Sequence, residues 1–195
     1  MWEGGQPAQS EAATAPAPRL VDRAGFEALV ASHHAEIYRF LLRTTGRPSD
    51  ADDLSQETFL RAYRAYRSLT PDANVRAWLF TIATNLSRNH FRAQKRRRAA
   101  HAAASETVSQ HGAPEPDGVM IGREVEAVVS AVVSRLPLKQ RLAFLQRKVH
   151  GLDYETIAGA LDCSPESVRA HVFQALRKIR QALRGHELIE KEREP

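Results

Sequence analysis

The stretch SPESVRAHVFQALRKIRQAL, residues 164–183, places side chains able to read a nucleic acid along one side of a helix. Val168, Val172, Ala175, Leu176, Ile179 and Leu183 recur at spacings of three, four and seven and form an apolar stripe. Ala170, Phe173, Gln174 and Arg177 fall on the opposite side, flanked by Arg169, His171 and Lys178. Arginine can pair with guanine or phosphate, glutamine with adenine, and a phenyl ring with a thymine methyl. The preceding DYETIAGALD reads as a short helix whose small residues Ala158, Gly159 and Ala160 allow a close crossing. Asp162-Cys163 reads as a turn, Ser164 as an N-cap and Pro165 as the first helical residue, where a missing N–H costs nothing. A short helix, a tight turn and a longer helix with a basic outer face make the pattern of a helix-turn-helix, whose second helix enters the major groove.

A second concentration of chemistry runs from Ala73 to Ser105, where there is no acidic residue. Arg76, Arg88, Arg92, Lys95, Arg96, Arg97 and Arg98 give that window seven positive charges. Trp78, Leu79, Ile82, Ala83 and Leu86 trace its core face, and Thr81, Thr84, Asn85, Arg88, Arg92 and Lys95 the other. A basic face mixed with Asn and Thr suits phosphate contacts and a few base contacts. Phe91 is off the apolar stripe and is the better platform for an unpaired base; Trp78 lies in the stripe and reads as core.

The helix before it has the opposite character. Asp53, Gln56, Leu60, Tyr63 and Arg64 lie away from Leu54, Thr58, Ala62, Ala65 and Tyr66, the expected core side. Exposed Leu and Tyr beside carboxylates are compatible with a basic protein partner rather than DNA, though on the residues alone an ordinary, slightly greasy surface is the stronger reading. Enzyme chemistry finds no footing. His33-His34-Ala-Glu36 is not HExxH, no Cys/His group has zinc spacing, and there is no phosphate-cradling Gly-rich loop or nucleophile elbow. Cys163 reads as a small buried thiol in a turn. No catalytic residue, metal or cofactor is expected.

These groups have to be held by helices. Hydrophobic residues are 43% of the 195, enough for a packed core, and aromatics only 7%, so that core must be mostly Leu, Val, Ile and Ala. No stretch alternates like a half-buried strand. Residues 1–21 form an Ala/Pro-rich tail expected to be disordered, and 99–121, with Pro114 and Pro116, a flexible linker. Two compact segments remain, 22–98 and 122–184, followed by a charged tail, 185–195. Phe26, Leu29, Val30, His33, Ile37, Phe40 and Leu41 trace a first helix that stops near Gly46. Ser49 is expected to cap a second helix running to about Arg67, and a third starts near Asn74 and runs to about Arg98. Helices are expected over 122–135, 138–149, 153–161 and 165–184. The fold class is all-α: two small helical domains with a C-terminal helix-turn-helix. A net charge of +5 and a pI near 9.7 favour phosphate-rich partners. No apolar run approaches the roughly 20 residues of a membrane helix, and the N-terminus lacks a basic patch followed by an apolar segment, so a cytoplasmic protein is expected.

Three stretches, in order, resemble the extracytoplasmic-function (ECF) sigma factors of bacterial RNA polymerase. DADDLSQETFLRAYRAY (50–66) is similar to the region-two helix that docks on the polymerase clamp helices. NVRAWLFTIATNLSRNHFR (74–92) is similar to the helix that meets the −10 promoter element, and residues 136–183 to region four, which binds the −35 element. The resemblance implies that Asp53, Gln56, Glu57, Leu60 and Tyr63 contact polymerase. It implies that Asn74, Arg76, Thr84, Asn85, Arg88 and Arg92 handle −10 DNA, where a non-template base is flipped into a pocket and offsets the cost of unstacking. Arg169, His171, Phe173, Gln174, Arg177 and Lys178 would then face the −35 element. It implies core RNA polymerase (clamp helices and flap) and promoter DNA as partners, no enzymatic activity, and a linker threading toward the polymerase active-site channel. It also implies an anti-sigma partner and a place on the nucleoid through polymerase. Two departures stand out. The usual Val-Lys/Arg-Ser-Arg of the −35 helix, with a further Arg, reads here Val168, Arg169, Ala170, His171 and Gln174, and Glu166 stands where Gly is usual. These departures imply a −35 element of different sequence, or weaker binding there.

Two other readings compete. A LuxR-type helix-turn-helix regulator would bind duplex DNA on its own, usually as a dimer, but its N-terminal segment has no need of an acid-free basic helix. A helical adaptor that binds only protein leaves both basic surfaces without a use.

Overall fold

In a computed structural model of the chain, residues 20–70, 72–102 and 120–193 are described. The expected tail over 1–19 and most of the linker lie outside them. Among the described residues seven α-helices run in order: α1 (Leu20–Thr45), α2 (Pro48–Ala65), α3 (Val75–Ala102), α4 (Met120–Arg135), α5 (Leu138–Phe144), α6 (Tyr154–Leu161) and α7 (Pro165–Arg193). A 3-10 turn, Tyr66–Ser68, comes after α2, and a π-helical segment, Leu145–Val149, after α5. Among the described residues there is no strand, and no helix is long and apolar enough to cross a membrane.

Local chemistry sets the ends. Gly46, at φ 70°, closes α1 and donates its N–H to the Leu42 carbonyl at 2.8 Å. Helix α2 starts differently from expectation: the N-cap is Arg47, with Pro48 in the first helical turn, and Ser49 is already helical. Proline is preset for the first turn and has no N–H to satisfy, so it moves the start ahead of the serine. Asn74 caps α3, its Oδ1 accepting from Ala77 N at 3.0 Å. Asp153 caps α6 twice over, Oδ1 accepting from Thr156 N at 2.7 Å and Oδ2 from the Thr156 hydroxyl at 2.8 Å. These bonds, backbone first, pull its carboxyl below the ordinary value. Asp153→Ala should therefore cost about 1 kcal/mol in denaturant unfolding; an unchanged midpoint would show that the cap contributes nothing.

The turn between α6 and α7 matches the sequence closely. Asp162 is left-handed at φ 53°, the Ser164 hydroxyl accepts from Ser167 N at 3.2 Å, and Pro165 begins α7. Ala158 and Ala160 are buried, as close crossing requires, but Gly159 faces open space and plays no part in it. Cys163 is half-buried and free. The expected helix 138–149 breaks into α5 and the wider π segment, where His150 N–H reaches back to Leu145 O at 3.0 Å. An extra residue in a helical turn rotates the chain beyond it, and His150 follows directly as the C-cap of that segment.

The buried apolar side chains form one continuous cluster through both segments. Phe40, Leu41, Leu79, Phe80 and Ala83 fill the first half; Leu142, Ile157, Leu161, Val168 and Ala175 the second. Helix α3 packs on α1 and α2 within its own half and on α6 across the seam. The two domains therefore lie against each other.

Candidate nucleic-acid interface

On α2 the partition is as expected. Leu54, Thr58 and Ala62 are buried, while Asp53, Gln56 and Arg64 are exposed and Leu60 and Tyr63 are 42% and 53% accessible. Glu57, half-buried, is held by Arg61 at 2.6 Å. Two large apolar side chains held out between carboxylates make a surface suited to burial against a partner. Tyr63 is braced from behind by an edge contact to Phe26, 5.1 Å between centroids.

On α7 the outer face is open at Arg169, Phe173, Arg177 and Lys178, and half-open at His171 and Gln174. Phe173 is 59% accessible on the solvent side of the stripe made by Val168, Val172, Ala175 and Ile179. Arg169 is positioned from both ends of the motif: Glu166 Oε1 lies 3.1 Å from it and the Tyr154 ring of α6 5.0 Å. A guanidinium held at the first turn of the second helix is placed to reach a base edge or a phosphate. Lys178 is less free than its position implies, since it donates to Gln140 Oε1 at 3.0 Å.

The −10 candidates on α3 divide into two groups. Asn74, Asn85 and Arg92 are exposed. Arg76, Thr84 and Arg88 are engaged or covered. Arg76 clasps Glu36 of α1 through Nε and Nη2, at 3.0 and 2.5 Å, and Nη2 also donates to the His150 carbonyl at 2.5 Å. Arg88 donates to Ala160 O of α6 at 3.2 Å. Thr84 is wholly buried and its hydroxyl has no partner, so the solvent-facing position expected for it is corrected. It sits one turn before Arg88, on the arc of α3 that meets α6. Phe91, the expected stacking platform, lies half-buried beneath the Arg141 guanidinium at 5.6 Å.

Sequence reasoning missed the residues that create this arrangement: Glu36, Arg141 and His150. Arg141 of α5 donates to Thr44 O of α1 at 2.6 Å and also to the Ser134 and Leu136 carbonyls of its own half. His150 packs edge-on against Phe40 and tilted against Phe80, with centroids at 5.7 and 4.8 Å. Its Nδ1 lies 3.1 Å from Glu36 Oε1, so the neutral ring donates there, leaving a buried Nε2 without a partner. No local pattern announces the contacts across the seam, because their partners are 72 to 114 positions apart.

The charges give the seam a pH signature. Hydrogen bonding from Arg76, and then from His150, holds the Glu36 carboxyl down to about 2. Its contribution is thus complete above the ordinary value of 4.5 and is lost only as pH falls toward about 2. Burial pushes the His150 imidazole below its ordinary 6.5, with Arg76 and Arg43 adding to this and Glu36 opposing it. A lowered histidine favours the neutral docked form, so stability is full above 6.5 and declines below it. His171, lowered by burial and Lys139, acts in the same direction. The melting temperature should fall between pH 7.5 and 5, and His150→Gln should flatten much of that fall; an equally steep profile in the variant would remove His150 from the account.

The comparisons with known proteins agree with this layout. Residues 29–97 match the model of sigma-70 region 2, and 127–179 that of sigma-70 region 4. The RNA polymerase sigma-H factor of Pseudomonas aeruginosa is 31% identical over 169 residues, covering 83% of this chain and 88% of its own. The ECF RNA polymerase sigma-E factor of Escherichia coli K12 is 32% identical over 166 residues, 81% and 86% of the two chains. In fold the chain is similar to the sigma factor RpoE solved in complex with the anti-sigma factor NepR from Bartonella quintana (TM-score 0.62, 24% identity, 82% and 97% coverage). It is also similar to CnrH solved with the cytosolic domain of CnrY (TM-score 0.60, 23% identity, 84% and 90% coverage).

A chain built of these two regions is a sigma-70 type transcription initiation factor. It belongs to the ECF group of RNA polymerase sigma factors. Sigma factors bind core polymerase and promoter DNA and do no chemistry themselves, so the search for a catalytic centre ends here; the self-sufficient regulator is not favoured. Such factors work with RNA polymerase in the cytoplasm.

Proposed function

We propose a division of labour among three helix faces. The α2 face of Asp53, Gln56, Glu57, Leu60 and Tyr63 docks on the polymerase clamp helices. Helix α3 captures the −10 strand through Asn74, Asn85 and Arg92, joined by Arg76 and Arg88 once these are released from region four. The outer face of α7 reads the −35 element through Arg169, His171, Phe173, Gln174, Arg177 and Lys178, while region four meets the flap. Residues 22–98 and 122–184 act as the two units, and the intervening linker threads toward the active-site channel. The chain then resides on the nucleoid through polymerase.

The observation that carries this reading is chemical segregation. The acidic-apolar face and the two basic faces occupy different helices, so polymerase and DNA need not compete for one surface. An Asn85→Ala, Arg92→Ala double variant tests the α3 assignment. Both side chains are exposed, so core binding should persist while promoter opening slows by roughly 10-fold, as expected for a lost base contact and a lost phosphate contact. Unchanged opening would refute it.

An inhibitory anti-sigma protein that covers the α2 face is the partner we propose for the uncomplexed factor. Leu60 and Tyr63 would be buried by it as they would be by polymerase. Affinity capture from the native host should recover it. A factor active under all conditions, with no inhibitor recovered, would contradict the proposal.

A further inference from the structure

We propose that Tyr154 is a specificity-determining positioning residue: with Arg147 and Glu166 it fixes the rotamer in which Arg169 meets a base of the −35 element. This rests on the −35 reading of α7 and deepens it, since Tyr154 itself belongs to α6, the supporting helix. Three elements converge on one guanidinium. The Arg169 guanidinium carbon stands 5.0 Å from the centre of the Tyr154 ring, and that of Arg147 stands 4.7 Å from the same centre. Both lie inside the roughly 6 Å over which an aromatic face attracts a cation. Arg147 belongs to the π-helical segment and is tethered in turn, its Nη1 donating to the Leu152 carbonyl at 2.9 Å. Glu166, one turn before Arg169 on α7, accepts from its Nη1 at 3.1 Å. The Tyr154 ring is half-buried against the apolar core, which makes it a fixed platform.

The chemistry of this cluster favours a base over a phosphate. An arginine has one of the largest side-chain entropies to lose, so a guanidinium held before DNA arrives loses less on binding. The bond to Glu166 uses Nη1 alone, which leaves the Nε–Nη2 edge for a two-pronged contact to a base. The Glu166 carboxylate, 76% exposed, cancels the charge of Arg169, so the pair gains little from the attraction of phosphates. That attraction falls instead to the exposed cations further along α7, Arg177 and Arg180. What the cluster supplies to Arg169 is direction. Losing the ring removes the direction without removing the charge.

The test uses the full chain assembled with core polymerase, on a promoter from which the wild-type factor initiates, with each position of the −35 element varied in turn. Arg169→Ala should lose discrimination among bases at one position, which marks the base that it reads. Tyr154→Leu should lose about fivefold of the discrimination at that same position and none elsewhere, the size expected for one cation–π contact. Tyr154→Phe, which keeps the ring, should discriminate as wild type does. Tyr154→Leu combined with Arg169→Ala should be no worse than Arg169→Ala alone, because the ring acts through that arginine. The slope of log affinity against log salt should be the same in Tyr154→Leu and wild type, since no phosphate contact is lost. Glu166→Ala, an exposed change that leaves the fold intact, should relax the same position while raising overall affinity, because a carboxylate no longer faces the phosphates. A uniform loss at every position, with a lowered melting temperature, would make Tyr154 a packing residue and overturn the proposal. Unchanged or sharper discrimination in Tyr154→Leu, or in Glu166→Ala should Tyr154→Leu not fold, overturns it too. If Arg169→Ala relaxes no position at all, the −35 reading itself has failed.

Discussion

Leu60→Asp should abolish assembly with core RNA polymerase at concentrations where the wild-type factor is saturated. Leu60 stands 42% exposed near the middle of the face formed by Asp53, Gln56 and Tyr63. A docking face owes most of its affinity to a few large side chains that become dry on binding. The substitution removes one of these and forces a carboxylate into the dried contact, where a charge without a partner is costly. Losing the anchor and burying the charge should together weaken binding by about 4 kcal/mol, close to a thousandfold. The chain itself should fold normally, because a surface change of this kind shifts stability by only about 0.5 kcal/mol. Titration of labelled factor with core polymerase, alongside a melting curve, separates the two. A melting temperature near wild type with affinity reduced less than about tenfold would remove α2 from the polymerase interface.

Arg169→Ala should have the reverse profile. Its guanidinium is held over Tyr154 and beside Glu166 at the start of α7, on the exposed face of that helix. Loss of a bidentate base contact costs about 1–3 kcal/mol, or roughly 5- to 150-fold. The upper part of that range is expected here, because two arginines usual for the family are absent and Arg169 carries more of the load. Initiation from promoters with a −35 element should fall accordingly, with core binding unchanged. A parallel loss of core binding would mean that Arg169 supports the fold of region four rather than reading DNA.

Most helices were legible because each carries its own local signals. The stripe from Phe26 to Leu41 and the Gly46 stop define α1, and the Asp162-Cys163-Ser164-Pro165 run fixes the turn of the helix-turn-helix almost to the residue. The split of α2 into Leu54, Thr58 and Ala62 inside and Asp53, Gln56, Leu60 and Tyr63 outside is a matter of helical period alone. What local pattern could not supply is the relation between halves. Thr84 reads as a surface residue because it lies opposite Leu79 and Leu86; it is buried because α3 is covered on a second side by another domain. Glu36 and His150 look ordinary in their own neighbourhoods and matter only because the fold brings them together across 114 positions. The π segment that sets His150 in place has no marker beyond Gly151, since an extra residue in a helical turn is a response to packing.

The central claim is that this chain gives core RNA polymerase a promoter specificity it lacks alone. Mixing the purified factor with bacterial core polymerase on fragmented genomic DNA, and sequencing the 5′ ends of the transcripts, tests it most directly. Transcripts that appear only with the factor and share a pair of upstream motifs, near −35 and −10, are the expected result. No complex with core polymerase, together with tight, sequence-specific binding of the factor alone to duplex DNA, would contradict it.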